Sequence, residues 1–165
     1  MVRFMQPSLR HDEGAVDQKW KDAPMIDATS ILAAHILIVD DEVDAAGALA
    51  QLLMSNGYQS VTVTTVPQDV RELHRANDYD LILLDVQMPV MDGFQVMESL
   101  KELERESYLP VLAITGSAGH RVEALRRGAR DFLRKPFDAD ELLLRVRNMI
   151  EVRLLYKELA LDAVR

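Results

Sequence analysis

The sequence has no cysteine. That excludes a disulfide framework and all thiolate chemistry, and it fits a reducing compartment. Long hydrophobic runs are missing too: no stretch approaches the roughly 18 apolar residues that a membrane-crossing helix needs. The segment from Met1 to Asp27 carries scattered charges and no apolar block ahead of a small-residue cleavage site, so it does not read as a secretory signal. Positive charge is scarce, with 19 Lys and Arg against 27 Asp and Glu and a formal net charge of -8. An acidic chain of this kind disfavours DNA, RNA and anionic membrane surfaces as partners. It favours cations, but only where carboxylates converge. The expectation from these absences is a cytoplasmic protein that binds neither nucleic acid nor membrane.

What is present points to one α/β domain with extra length. The 165 residues are 48% hydrophobic, enough for a substantial core. Residues 1–33 mix Pro7, Gly14, Pro24 and charges of both signs without a sustained period. They read as a flexible leader with a short helix near Ile26–Ala34. From His35 the texture changes. Ile36-Leu37-Ile38-Val39, Leu81-Ile82-Leu83-Leu84 and Val111-Leu112-Ala113-Ile114 are short continuous apolar runs, as expected of strands buried on both faces. Ser60–Thr64 and Asp131–Arg134 are further short strands. Between them lie helical patterns at Ala45–Ser55, at Val66–Ala76 with Pro67 in its first turn, from Gly93, and at Arg121–Arg127 closed by Gly128. A last helix begins near Asp138 and shows no stop signal. Five β-α repeats predict a doubly wound, five-stranded parallel sheet covered on both faces, with an extended C-terminal helix.

In such a sheet, ligands sit outside the carboxyl ends of the strands. Asp40, Asp41, Asp85, Thr115 and Lys135 all fall at or just after strand ends, so the topology brings them to one rim. Three carboxylates there repel one another, and a hard divalent cation relieves the repulsion. Mg²⁺ suits an all-oxygen site of a few carboxylates, a backbone carbonyl and water. Asp41 and Asp85 are the expected direct ligands, with Asp40 acting through water and the Gln87 backbone carbonyl completing the protein's share. The chemistry such a site serves is phosphoryl transfer, with Asp85 as the nucleophile, Lys135 as a fixed ammonium and Thr115 as a hydroxyl donor. Each residue alone has a duller reading. An Asp-Asp-Glu run is usually a solvated helix start, a lone Asp or Thr after a strand is usually a cap or turn, and Lys-Pro is usually a loop. The four histidines show no metal-ligand spacing and read as surface or filler.

The stretches Ile36–Glu42, Leu84–Gly93, Ile114-Thr115-Gly116 and Gly128–Phe137 together resemble the receiver domain of bacterial response regulators. The resemblance covers about His35 to Ile150 and implies a flavodoxin-like (βα)5 receiver fold over residues 34–150. It implies Asp85 as phosphoacceptor, Asp40 and Asp41 as the acidic metal pair, Thr115 as the switch hydroxyl, Lys135 as the family's lysine and Phe132 as the switch aromatic. It also implies a partner, a histidine kinase or phosphotransfer protein that donates from a phosphohistidine, and a protein that is a phosphoacceptor rather than an enzyme. Gly116 departs from the family's usual small residue, Ala, at its position.

Residues 151–165 read as a helical extension or connector. Val152, Leu155 and Leu159 form one apolar stripe, and Ile150, Leu154 and Leu161 another. Such stripes call for a second copy of the chain or an output domain outside this sequence. Two other classes share parts of the pattern. A Mg²⁺-dependent phosphohydrolase with an aspartyl nucleophile would carry a second acid two residues on, where Gln87 stands. A flavin-binding module would need a phosphate cradle where Asp40-Asp41-Glu42 would repel it. A degenerate, binding-only receiver is disfavoured by the intact acid, threonine and lysine set.

Overall fold

The computed structural model describes residues 25–88, 92–106, 108–117 and 119–164, the side chains of 102–106 aside. Its elements in chain order are α1 (Ala28–Leu32), β1 (His35–Val39), α2 (Val43–Ser55), β2 (Ser60–Thr64), a 3₁₀ turn (Pro67–Asp69), α3 (Val70–Asn77), β3 (Leu81–Asp85), α4 (Gly93–Glu106), β4 (Val111–Thr115), α5 (His120–Arg126), β5 (Asp131–Arg134) and α6 (Ala139–Val164). The five strands form one sheet in the order β2-β1-β3-β4-β5. All four neighbouring pairs are parallel.

The continuous apolar runs occupy the inner strands, and the two-residue period of a strand divides them between two cores. Ile36, Ile38, Leu81, Leu83, Leu112 and Ile114 point to one face, against Ile31 of α1, Leu49 and Leu53 of α2, and Leu142, Val146 and Ile150 of α6. Leu37, Val39, Ile82, Leu84, Val111 and Ala113 point to the other, against Val70 of α3, Val96, Met97 and Leu100 of α4, and Ala124 of α5. Each such aliphatic side chain contributes about 1.5–3 kcal/mol by leaving water. β2 is an edge strand, and its five residues are correspondingly more exposed.

The structure refines three sequence expectations. The helix expected over Val66–Ala76 is split: Pro67 starts a single 3₁₀ turn, and the α-helix proper begins at Val70. The short helix expected near Ile26–Ala34 within the leader is α1, and it packs on the domain. The Asp27 side chain caps α1 by accepting from Ser30 N–H at 2.7 Å. Ile31 and Ala34 are buried in the core, with Ile26 and Leu32 packed against it. The rest of the expected leader, residues 1–24, lies outside the described residues. The two stripes expected on the last helix also separate. Ile150 is fully buried and Leu154 packs on the core, whereas Val152, Leu159 and Leu161 are exposed. His74, read with the other histidines as surface or filler, is buried, and its Nδ1 accepts the Tyr79 N–H at 3.1 Å. Burial pushes its pKa down.

Candidate functional site

β1 and β3 pair in register, so Val39 lies opposite Leu84, and the acids that follow share one edge of the sheet. Asp40 continues the ladder one residue past β1 through its N–H, which donates to Thr64 O at 3.2 Å. Its Oδ1 accepts the Glu42 N–H at 3.0 Å, which turns the chain into α2. Asp85 ends β3, and its Oδ1 accepts the Gln87 N–H at 2.9 Å. Asp40 and Asp85 are buried and Asp41 is half-buried. Each of the three offers a carboxylate oxygen within 4.8 Å of the other two.

Thr115 ends β4, one residue past the partner of Asp85, and is fully buried. Its Oγ1 accepts the Ser117 N–H at 3.2 Å. Its carbonyl accepts the Lys135 N–H at 2.8 Å, which carries Lys135 to the same rim just past β5. The Lys135–Pro136 peptide is cis. Lys135 Nζ stands 3.5 Å from Asp40 Oδ2 and 3.6 Å from Asp85 Oδ2, so one ammonium bridges the two buried acids. Burial raises the pKa of Asp85; the Gln87 N–H and Lys135 oppose the rise, and Asp40 adds to it.

The sequence-selected residues therefore meet. Asp40, Asp41, Asp85 and Lys135 form one cluster, and Thr115 adjoins it through the backbone of Lys135. Phe132 stands apart, half-buried on β5 opposite Ala113, and borders a surface cavity of about 370 Å³ shared with Arg121, Arg134 and Arg145. The donor set fits Mg²⁺: it is all oxygen, clustered and partly desolvated, and its negative charge exceeds what one lysine offsets.

Two features take their meaning only from the structure. Gly93 opens α4 beneath the acid. A Cβ there would stand 2.6 Å from Val86 Cα and 2.8 Å from Asp85 O, so only glycine lets the helix start pack on the strand end. Asp92 before it is an ordinary N-cap, its Oδ1 accepting the Gln95 N–H at 2.9 Å, so the glycine carried no sequence signal of this role. The other is an apolar cavity of about 480 Å³ that opens beside Asp40 and Asp85, walled by Leu49, Leu52, Leu83, Ile114 and Phe137. No sequence signal marks it, because its walls come from four elements.

A five-stranded parallel sheet with an acid cluster and a lysine at its carboxyl edge defines the class of receiver-type α/β domains. Residues 36–147 match the family described as the response regulator receiver domain, and the chain belongs to that family. Among curated relatives, the transcriptional regulatory protein PrrA of Mycobacterium tuberculosis is 33% identical over 125 residues, covering 76% of this chain and 53% of that protein. Response regulator PleD of Caulobacter vibrioides is 36% identical over 130 residues, covering 78% of this chain and 28% of that protein. The chain thus spans about half or less of the length of these relatives. Among solved structures, the chemotaxis protein CheY4 of Vibrio cholerae superposes with a TM-score of 0.64 at 27% identity, covering 71% of this chain and 98% of that one. NtrX of Brucella abortus superposes with a TM-score of 0.68 at 33% identity, covering 78% of this chain and 29% of that one. The chain is therefore a response regulator receiver domain of two-component signal transduction. Response regulators take their signal from histidine kinases. No helix among the described residues is long and apolar enough to cross a membrane.

Proposed function

We propose that the chain accepts a phosphoryl group on Asp85, in the cytoplasm, from a phosphohistidine on a kinase or phosphotransfer partner. The observation that carries this reading is the convergence of Asp40, Asp41 and Asp85 within 4.8 Å, with Lys135 bridging two of them. A carboxylate oxygen of Asp85 attacks phosphorus in line with the leaving imidazole nitrogen. The P–N bond breaks as the acyl-phosphate P–O bond forms. Asp40, Asp41, Asp85 and the Gln87 backbone carbonyl would hold Mg²⁺, which when bound neutralises charge on the transferring group. Lys135 leaves its bridge to pair with a phosphoryl oxygen, and the Gln87 N–H keeps the Asp85 side chain oriented. The protein acts as a phosphoacceptor that takes part in its own phosphorylation and dephosphorylation, not as an enzyme with a separate substrate.

The switch follows from differential contacts, since a phosphoryl group shifts a population only through interactions it makes better in one state. Thr115 Oγ would exchange the Ser117 N–H for a role as donor to the phosphoryl group. Its movement frees space into which Phe132 turns. The readout surface is then α5, β5 and α6. It serves an output domain beyond this sequence or a second copy paired through the exposed Val152–Leu159 seam. Intact-mass spectrometry after incubation with acetyl phosphate tests the chemistry. The expected result is one added phosphoryl group that requires Mg²⁺ and disappears in Asp85→Asn. Labelling retained in that variant refutes the assignment.

A further inference from the structure

At the opposite end of the sheet, away from the acid site, α6 carries a second charged cluster. Arg153 is 1% exposed, one of the largest fully buried side chains among the described residues. It lies on the core-facing side of α6, in phase with Leu142, Val146 and Met149, and meets the turns at the base of the sheet. Its NH1 donates to the Tyr108 carbonyl, and its NH2 donates to Asp78 Oδ1 at 3.4 Å. Its Nε stands 3.6 Å from Asp80 Oδ1, beyond hydrogen-bond distance but within ion-pair range. One turn on, Lys157 Nζ donates to Asp80 Oδ1 at 2.7 Å and Asp78 Oδ2 at 3.2 Å. The Tyr156 ring rests against Tyr108, with centroids 5.6 Å apart, and Arg130 covers the other ring at 4.7 Å.

The acceptors are themselves fixed. Asp80 is buried, and its Oδ2 accepts the His35 N–H at 2.9 Å, tying the starts of β1 and β3. Asp78 is held in the left-handed region at φ 50°, closing α3 with its N–H on His74 O. Two segments far apart in the chain, the Asp78–Asp80 turn and Tyr108, therefore grip consecutive turns of one helix. A helix that merely continued into solvent would not need a buried arginine, whose desolvation is justified only by fixed partners.

We propose that Asp78, Asp80, Arg153, Lys157 and the Tyr108 carbonyl form a clamp that makes the end of α6 a rigid arm of the receiver. The arm holds one direction relative to the sheet. It presents Val152 and Leu159 on its outer side, in one register to the base of β3, the strand that ends in Asp85. Motion of the sheet is then passed on as rigid-body motion of the arm. The clamp involves no residue of the acid site, so its failure and the failure of the phosphoryl chemistry are separately visible.

The absence of native cysteine permits a direct test. Spin labels on Gln51→Cys and Glu158→Cys, both exposed, report the distance distribution between α2 and the clamped turn of the arm by electron double resonance. A narrow distribution is expected in the otherwise native chain. It should broaden roughly twofold in Arg153→Met/Lys157→Met, because a short helical end without tertiary contacts frays. Mg²⁺-dependent labelling of Asp85 by acetyl phosphate should stay unchanged in that variant. Should it fail to fold, Asp78→Asn/Lys157→Met removes only partly exposed partners, and an intermediate width is expected. A broad distribution in the native chain overturns the proposal, as does a width unaltered by folded variants.

Discussion

Replacing Asp85 with Asn should stabilise the Mg²⁺-free protein while abolishing its chemistry. Each of the other two acids offers an oxygen within 4.8 Å of the Asp85 carboxylate. At an effective dielectric of about 20, each like-charged pair at that distance costs about 3.5 kcal/mol. Lys135, at 3.6 Å, returns about 4.6 kcal/mol on the same scale. Asp41 is half-exposed and its share is largely screened, so the charges nearly cancel and burial decides the balance, about 2 kcal/mol against the ionised side chain. Asn keeps an oxygen for the Gln87 N–H and carries no charge. The variant should therefore melt about 6 °C higher in chelator at pH 7.5, at roughly 3 °C per kcal/mol for a chain of this size. The gap has a defined pH dependence. The folded-state pKa of Asp85 is raised, chiefly by burial, so the native state prefers the protonated acid. The wild type therefore regains stability as pH falls through that raised value, and the two proteins converge below the ordinary carboxylate range. Added Mg²⁺ should raise the melting temperature of the wild type far more than that of the variant. Calorimetry across pH 4–8, with and without Mg²⁺, reads all of this. A variant that melts below the wild type in chelator at pH 7.5 would refute the electrostatic account.

Gly93→Ala should cost about 2–3 kcal/mol in denaturant titration, because the Cβ meets backbone that cannot give way, and it should slow acetyl-phosphate labelling by displacing Asp85. Lys135→Ala removes the ammonium that bridges Asp40 and Asp85, so Mg²⁺ titration should show affinity retained or raised while output signalling is lost; equal loss of both would contradict its role. Thr115→Val keeps the buried volume and should leave labelling intact while removing the phosphorylation-dependent change in Phe132, as followed by ring NMR shifts. Arg153→Met should lower stability by about 2 kcal/mol, less than the loss of an isolated buried charge partner, because Lys157 still covers Asp80.

The sequence by itself determined the α/β order and the identity of the site. Continuous apolar runs such as Leu81–Leu84 can be buried only between two layers, and parallel topology then forces their acidic ends to one rim. Asp40, Asp41, Asp85, Thr115 and Lys135 were legible for that reason: each carries its own chemistry, and each sits at a strand end. Tertiary structure decided what depends on separation in space. Gly93 matters because the backbone of Val86 passes within 2.6 Å of its missing Cβ, and the sequence holds no record of that approach. Ile150 and Val152 look alike in a list of apolar positions, yet one is fully buried and the other is half exposed. Arg153 was hidden between two apolar stripes and became meaningful only when Asp78, Asp80 and Tyr108, far away in the chain, were brought beneath it. Periodicity records which side of a helix is apolar, but burial of a charge is set by the partners that the fold delivers to it.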